Sequence, residues 1–303
     1  MLHRYSNHRR KWSHVPRDRT NRQNQRWMET ITADAQMDGY SMKKVVMALS
    51  GGMDSTCLLM HYLARGYEAV CISYQYGQKH AIEVDKATST IQLCHSIGQN
   101  VQHHIVDLSP AMSMFDSALT STEQEIPLGH YEESQMKQTV VPNRNAIFSS
   151  ILYGLALSEA KKTNTEVVLA LGVHSGDHAI YPDCRPEFYQ ALESAFALGN
   201  WDSDLVQFDL PYIDGDKTSI LQDALHSTEL LGLDFDEVLR NTITSYNPDE
   251  HGRSSGKSGS DVERILAFHS IGRNDPIEYQ HEWDVVLQNA LNVEHEYQKG
   301  ATE

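Results

Sequence analysis

The stretch that most constrains this chain is Lys43-Lys44-Val45-Val46-Met47-Ala48-Leu49-Ser50-Gly51-Gly52-Met53-Asp54-Ser55-Thr56. Val45 to Leu49 are continuously apolar and partly β-branched, the pattern of a strand covered on both faces in a parallel sheet. From Asp54 to Arg65 the period changes. Leu58, Leu59, Tyr62 and Leu63 fall on one face of a helix that Asp54 or Ser55 can cap and Gly66 stops. Between strand and helix, Gly51 and Gly52 lack Cβ, so backbone N–H groups can close around an anion while the positive helix end points at it. This is a phosphate cradle, and not one of the Walker type, because no lysine follows the glycines.

The rest of the chain repeats the alternation. Glu68 to Tyr74 reads as a second strand, 81 to 97 as a helix with Ala87, Ile91 and Cys94 on one face, and His104 to Leu108 as a third strand. Residues 109 to 140 lack periodicity and read as a long loop over the site. A helix from Asn145 to Lys161, a strand from Val167 to Val173, a helix from Pro186 to Leu198, a strand from Leu205 to Leu210 and a helix from Thr218 to Leu231 follow. The pattern predicts an α/β fold, a doubly wound parallel sheet of Rossmann-like type with right-handed crossovers, completed by a small helical C-terminal segment.

Ligands of such sheets bind beyond the carboxyl ends of the strands. Four polar clusters follow those ends, at 50–55, 75–80, 142–145 and 174–187. Asn143-Arg144-Asn145 offers a guanidinium fork between two amides, suited to a carboxylate or phosphate. The run from His174 to Glu187 packs two His, two Asp, an Arg and a Glu into one short segment, far more polarity than a connector needs.

A formal net charge of −16 disfavours a nucleic-acid backbone as partner. Residues 1–41 carry a net +4, so 42–303 carries −20. The basic arm has almost no apolar periodicity and reads as a disordered extension before a first domain at 42–240 and a C-terminal segment at 241–303. Met42-Lys43-Lys44 would serve as a natural start immediately before the first strand. No run approaches 18 apolar residues, so no membrane-spanning segment is expected. Cys57, Cys71, Cys94 and Cys184 lack metal-type spacing, and a reducing cytoplasm suits them.

The motifs S-G-G-M-D-S, Y-G-Q-K-H, V-P-N-R-N, Y-P-D-C-R-P-E-F and D-K-T together resemble the 7-cyano-7-deazaguanine synthase family of the PP-loop ATP pyrophosphatases, over roughly Met42 to Glu278. The resemblance implies ATP and Mg²⁺ as cofactors, with 7-carboxy-7-deazaguanine and free ammonia as substrates. It also implies an acyl adenylate and an amide on the way to a nitrile, in a protein that tends to form dimers. By the same carry-over Ser50, Gly51, Gly52, Met53, Asp54, Ser55 and Gln78 hold ATP. Asn143, Arg144, Asn145, His174, Asp177, Asp183, Arg185 and Glu187 face the deazaguanine, and Lys217 meets the leaving pyrophosphate. Asp54, Asp177, Arg185 and Lys217 are the expected catalytic set, and His174 or His178 could handle the proton of ammonium.

The chain departs from this family at one place. Where family members hold a structural zinc on four cysteines, it carries Ser245, Ser255, Ser258 and Asp261. Serine hydroxyls do not replace thiolates, so zinc is expected to be absent. If the module is only a clip, the nitrile-forming activity stays. If its loss reshaped the acceptor side, the chain would stop at the amide or pass the activated acyl group to another amine, including one on a protein. A nucleotide-binding subunit without catalysis is the remaining alternative.

Overall fold

The computed structural model describes residues 43–77, 82–115, 117, 140–176, 181–245 and 248–300. The expectations for residues 1–41, Gln78, Asp177 and His178 fall outside these. The element order is β1 (Lys44–Ala48), α1 (Met53–Ala64), β2 (Glu68–Gln75), α2 (Ile82–Ser96), β3 (Val101–Asp107), α3 (Arg144–Thr163), β4 (Val167–Ala170), α4 (Pro186–Gly199), β5 (Val206–Asp209), α5 (Lys217–Leu231), α6 (Phe235–Arg240), α7 (Gly259–Ser270) and α8 (Trp283–Gly300).

All neighbouring strands pair parallel, in the order β3-β2-β1-β4-β5. Met47 stands opposite Cys71 on one side and Ala170 on the other. The alternation of a strand sends Val45, Met47 and Leu49 to one face, with α1, α2, α5, α6 and the end of α7. Val46, Val70, Ile72 and Leu169 go to the other, beneath α3 and Tyr189 of α4. Helices on both faces explain why Val45, Val46 and Met47 are all fully buried and why β1 reads as an unbroken apolar run. The expected doubly wound α/β fold is the one observed.

Three local expectations are corrected. α1 is capped by Gly52, without any side-chain cap bond, and not by Asp54 or Ser55. Asp54 is drawn to Lys217, and Ser55 Oγ bonds the loop itself. β3 begins three residues earlier than its apolar residues suggest, because an edge strand exposed on one face needs no apolar run; Ile105 is exposed. β4 ends at Ala170, leaving 171–174 irregular so that His174 can turn toward the glycine loop. Residues 109–140 open with one helical turn, Ser109–Met112, whose Met112 is buried; most of the remainder lies outside the described residues. All four cysteines are free and buried.

The C-terminal segment is an integral wall of the domain. Arg264 of α7 is fully buried and donates to five acceptors: both Asp275 oxygens (2.6 and 2.9 Å), Thr242 Oγ1 (2.7 Å), Thr244 Oγ1 (3.0 Å) and the Leu239 carbonyl (3.3 Å). A guanidinium has five N–H groups, so each finds an acceptor here. Between the two threonines, Ile243 N–H donates to the Gly51 carbonyl at 3.0 Å. The segment therefore grips the glycine loop from behind.

Candidate active site

Gly51 has φ of +81°, and a Cβ there would lie 2.2 Å from the Glu83 carbonyl oxygen of α2. Only glycine meets both conditions, the left-handed backbone and the close approach of a second helix. The loop is then shaped by serines: Gly52 N–H donates to Ser50 Oγ (3.2 Å), Ser50 N–H to Ser55 Oγ (3.2 Å), and Ser55 Oγ contacts both Ser50 Oγ and the Gly52 carbonyl. The first turn of α1 has no side-chain cap, so its N–H groups open toward the loop. Met53 is buried in the core, so its side chain faces away from this opening.

Three strand ends converge here. Asp54 follows β1, His174 follows β4, and Lys217 opens α5 after β5. β1 and β4 flank the point where the strand order reverses, which is where open parallel sheets bind their ligands. Lys217 Nζ lies 2.9 Å from Asp54 Oδ2, 2.9 Å from His174 Nε2 and 3.3 Å from Glu263 Oε2. It is buried, held at the first position of a helix whose Asp216 and Ser219 form a reciprocal capping box. A first-turn lysine would ordinarily be solvated; here tertiary packing turns it inward.

Burial by itself would push the Asp54 carboxyl up, but Lys217 and His174 outweigh it and hold it below the usual carboxylate range. Its Oδ1 is buried and has no hydrogen-bond partner among the described residues. An anionic oxygen left so is a fitting ligand for a cation that arrives with a phosphate, and Mg²⁺ is commonly held by one or two carboxylates together with substrate phosphates.

The second polar group is a brace. Asn145 N–H donates to Asp183 Oδ2 (3.3 Å), and its side-chain amide reaches the Asp183 carbonyl (3.4 Å) and Cys184 Sγ (3.2 Å). This joins V-P-N-R-N to Y-P-D-C-R. Asn143 adopts a left-handed conformation as the residue before α3, and the Arg144 guanidinium lies over the Tyr181 ring at 5.8 Å. Arg185 and Glu187 are exposed at the start of α4.

Sequence reasoning missed Glu263 and Arg264. No local signal marks either one, since they lie on a helix of unremarkable pattern that meets the loop only through tertiary contact. At the positions that the resemblance aligns with zinc cysteines, Ser245 Oγ contacts Asp261 Oδ2 at 3.3 Å. Ser258 and Asp261 form the reciprocal cap of α7. Ser255 Oγ accepts from Lys257 N–H at 3.3 Å. Three hydroxyls and one engaged carboxylate do not fit zinc, and no group of three or more His, Cys, Asp or Glu among the described residues could hold a metal ion. No helix among the described residues is long and apolar enough to cross a membrane.

A parallel doubly wound sheet, a glycine loop at its switch point and a buried lysine facing a carboxylate define a nucleotide-handling α/β enzyme outside the Walker class. The family model described as "Queuosine biosynthesis protein QueC" matches residues 44–272. A 7-cyano-7-deazaguanine synthase from Caldicellulosiruptor saccharolyticus is 42% identical, over 80% of this chain and 98% of its own length. Those of Alteromonas mediterranea and Methanoregula boonei are 41% and 40% identical, each over 78% of this chain and 99% of theirs. The chain belongs to the QueC family and is an ATP-dependent enzyme of that synthase type.

Proposed function

We propose that this chain converts 7-carboxy-7-deazaguanine and ammonia to 7-cyano-7-deazaguanine at the expense of two ATP. The observation that carries the reading is the buried Lys217 ammonium paired with Asp54 at the mouth of the glycine loop. In the first step a substrate carboxylate oxygen bonds to the α-phosphorus while the bond to the β-phosphate bridge breaks. Negative charge gathers on the departing pyrophosphate, and a fixed cation beside it lowers that barrier. Lys217 supplies the cation; loop N–H groups and the open first turn of α1 supply neutral donors.

Asp54 Oδ1 would hold Mg²⁺ bound to the phosphates, which would spread their charge. Arg144, which lies over Tyr181, and Arg185 would hold a carboxylate, while Asn145 and Asp183 keep the two loops in register. Asn143, His174 and Glu187 remain candidates for the purine side of the pocket, with Asp177. Ammonia then displaces AMP to give the amide. A second ATP activates the amide oxygen, which leaves with AMP as two protons depart.

Mass spectrometry of pure protein with 7-carboxy-7-deazaguanine, ATP and ammonium tests this. Nitrile with AMP and pyrophosphate in twofold amount supports the reading. Amide alone would move the chain to the amide-forming alternative, and absence of pyrophosphate would refute adenylation altogether.

A further inference from the structure

Of the fourteen residues of α4, only Tyr189 is buried. Tyr189, Leu192 and Phe196 form one apolar stripe, which packs into the core on the α3 side of the sheet. A second stripe runs beside it. Phe188, Ala191, Ala195 and Leu198 follow one another at steps of three, four and three, the seam spacing of two helices packed side by side. Ala191, Ala195 and Leu198 are exposed, and Phe188 is only partly covered.

At the far end of this stripe Leu198 is 91% exposed and Trp201 88%, the highest values of the large apolar side chains among the described residues. Trp201 is not on a loose end. Asn200 Nδ2 donates to the Phe196 carbonyl (3.0 Å), Ser203 Oγ donates to the Ala197 carbonyl (3.2 Å), and Lys161 of α3 pairs with Asp202 at 2.9 Å. Asp202 sits in the left-handed region with φ of +59°, a backbone state that costs energy for residues other than glycine and is kept here by its surroundings. A contiguous apolar patch displayed on braced backbone marks an interaction surface.

Charge and symmetry decide what covers it. Between Phe188 and Trp201 the single charged residue is Glu193, which helical geometry puts on the side opposite the stripe. With −20 over 42–303 and no Lys, Arg or His from 186 to 201, an anionic membrane or a nucleic acid is repelled. Along the stripe the order is large, small, small, large, so it is its own complement when turned end for end. In an antiparallel pair about a twofold axis level with Glu193, Phe188 of one copy meets Leu198 of the other and Ala191 meets Ala195. The alanines let the two backbones approach closely at the crossing, and the large residues close both ends.

We propose that two copies of this chain associate through α4, antiparallel, with Phe188, Ala191, Ala195 and Leu198 as the seam. Trp201, two residues past the helix end, is carried by the same relation toward the start of the other copy's α4. The pairing does not depend on the function proposed above.

Sedimentation equilibrium of the full chain is expected to give twice the 34.3 kDa of one copy. L198E, which puts a charge into the seam at an exposed position, should halve that mass at the same protein concentration with an unchanged circular dichroism spectrum. The register is tested separately by mixing A191C with a size-tagged A195C under a mild oxidant. A disulfide-linked mixed dimer should form faster than either variant cross-links alone, because in each single variant the thiol faces an alanine. The four native cysteines are buried and stay out of the reaction. A monomeric wild type overturns the proposal and leaves the stripe to a different protein. A dimer that L198E leaves intact overturns it too, as does a mixed dimer that cross-links no faster than the single variants. Should L198E fail to fold, the cross-linking alone decides.

Discussion

Asp275→Asn isolates what the buried Arg264–Asp275 pair contributes to ordering the C-terminal segment. Both side chains of the Arg264–Asp275 pair are fully buried, and the carboxylate takes two guanidinium bonds of 2.6 and 2.9 Å. Asparagine keeps the volume but offers one acceptor and turns an NH₂ toward the other guanidinium nitrogen. The arginine then holds a buried charge without its counter-ion, a change that costs about 3–5 kcal/mol. Against a usual total of roughly 5–15 kcal/mol this is a large share, and it corresponds to a melting point lowered by roughly 6–20 °C for a chain of this size. Urea unfolding followed by circular dichroism gives the number. The loss should extend to the site, because Arg264 also holds Thr242 and Thr244 on either side of the Ile243 N–H that grips Gly51. ATP affinity should therefore drop even where the variant is fully folded. The double variant R264M/D275N, which leaves no unpaired charge, should recover part of the loss. A D275N protein within about 1 kcal/mol of wild type, the span of an ordinary surface pair, would refute the reasoning.

Prolonged chelation of wild type should leave the melting temperature unchanged, whereas S245C/S255C/S258C/D261C should bind zinc and become chelator-sensitive; metal analysis with thermal melting checks both. Asp261 is fully buried, and burial pushes its carboxyl up further than the hydrogen bonds from Ser254, Ser258 and Ser245 pull it down. A folded-state value above the unfolded one means that the carboxyl's contribution is complete below the unfolded value and is lost as pH rises through the folded one. Wild type should therefore lose stability relative to D261N as pH increases from about 4, read as urea midpoints at several pH values; a difference independent of pH would contradict this. Gly51→Ala combines a left-handed backbone with a Cβ 2.2 Å from the Glu83 carbonyl. It should cost about 2–4 kcal/mol in urea unfolding and abolish pyrophosphate release.

Much of the fold was legible because its signals are local. The apolar run of β1, the turn at Gly51 and Gly52, and the onset of the helical period at Asp54 are each written within a few residues, and burial on both faces follows from the run itself. Lys217 could be singled out only by its D-K-T context; that it is buried against Asp54 and His174 depends on three strand ends meeting. The capping of α1 was misread for the same reason, since Asp54 can serve a helix end or a distant cation and the choice is made in three dimensions.

The amino-acid sequence by itself determined the alternation of strands and helices up to Leu231, the parallel sheet and the glycine turn after β1, because periodicity and glycine conformations act over a handful of residues. The tertiary structure alone decided how the segment after Arg240 is held against the rest of the chain. Arg264 meets acceptors at 239, 242, 244 and 275, and Glu263 meets Lys217 and His174. Such pairings depend on distance in space between residues far apart in the chain, and no local pattern encodes that distance.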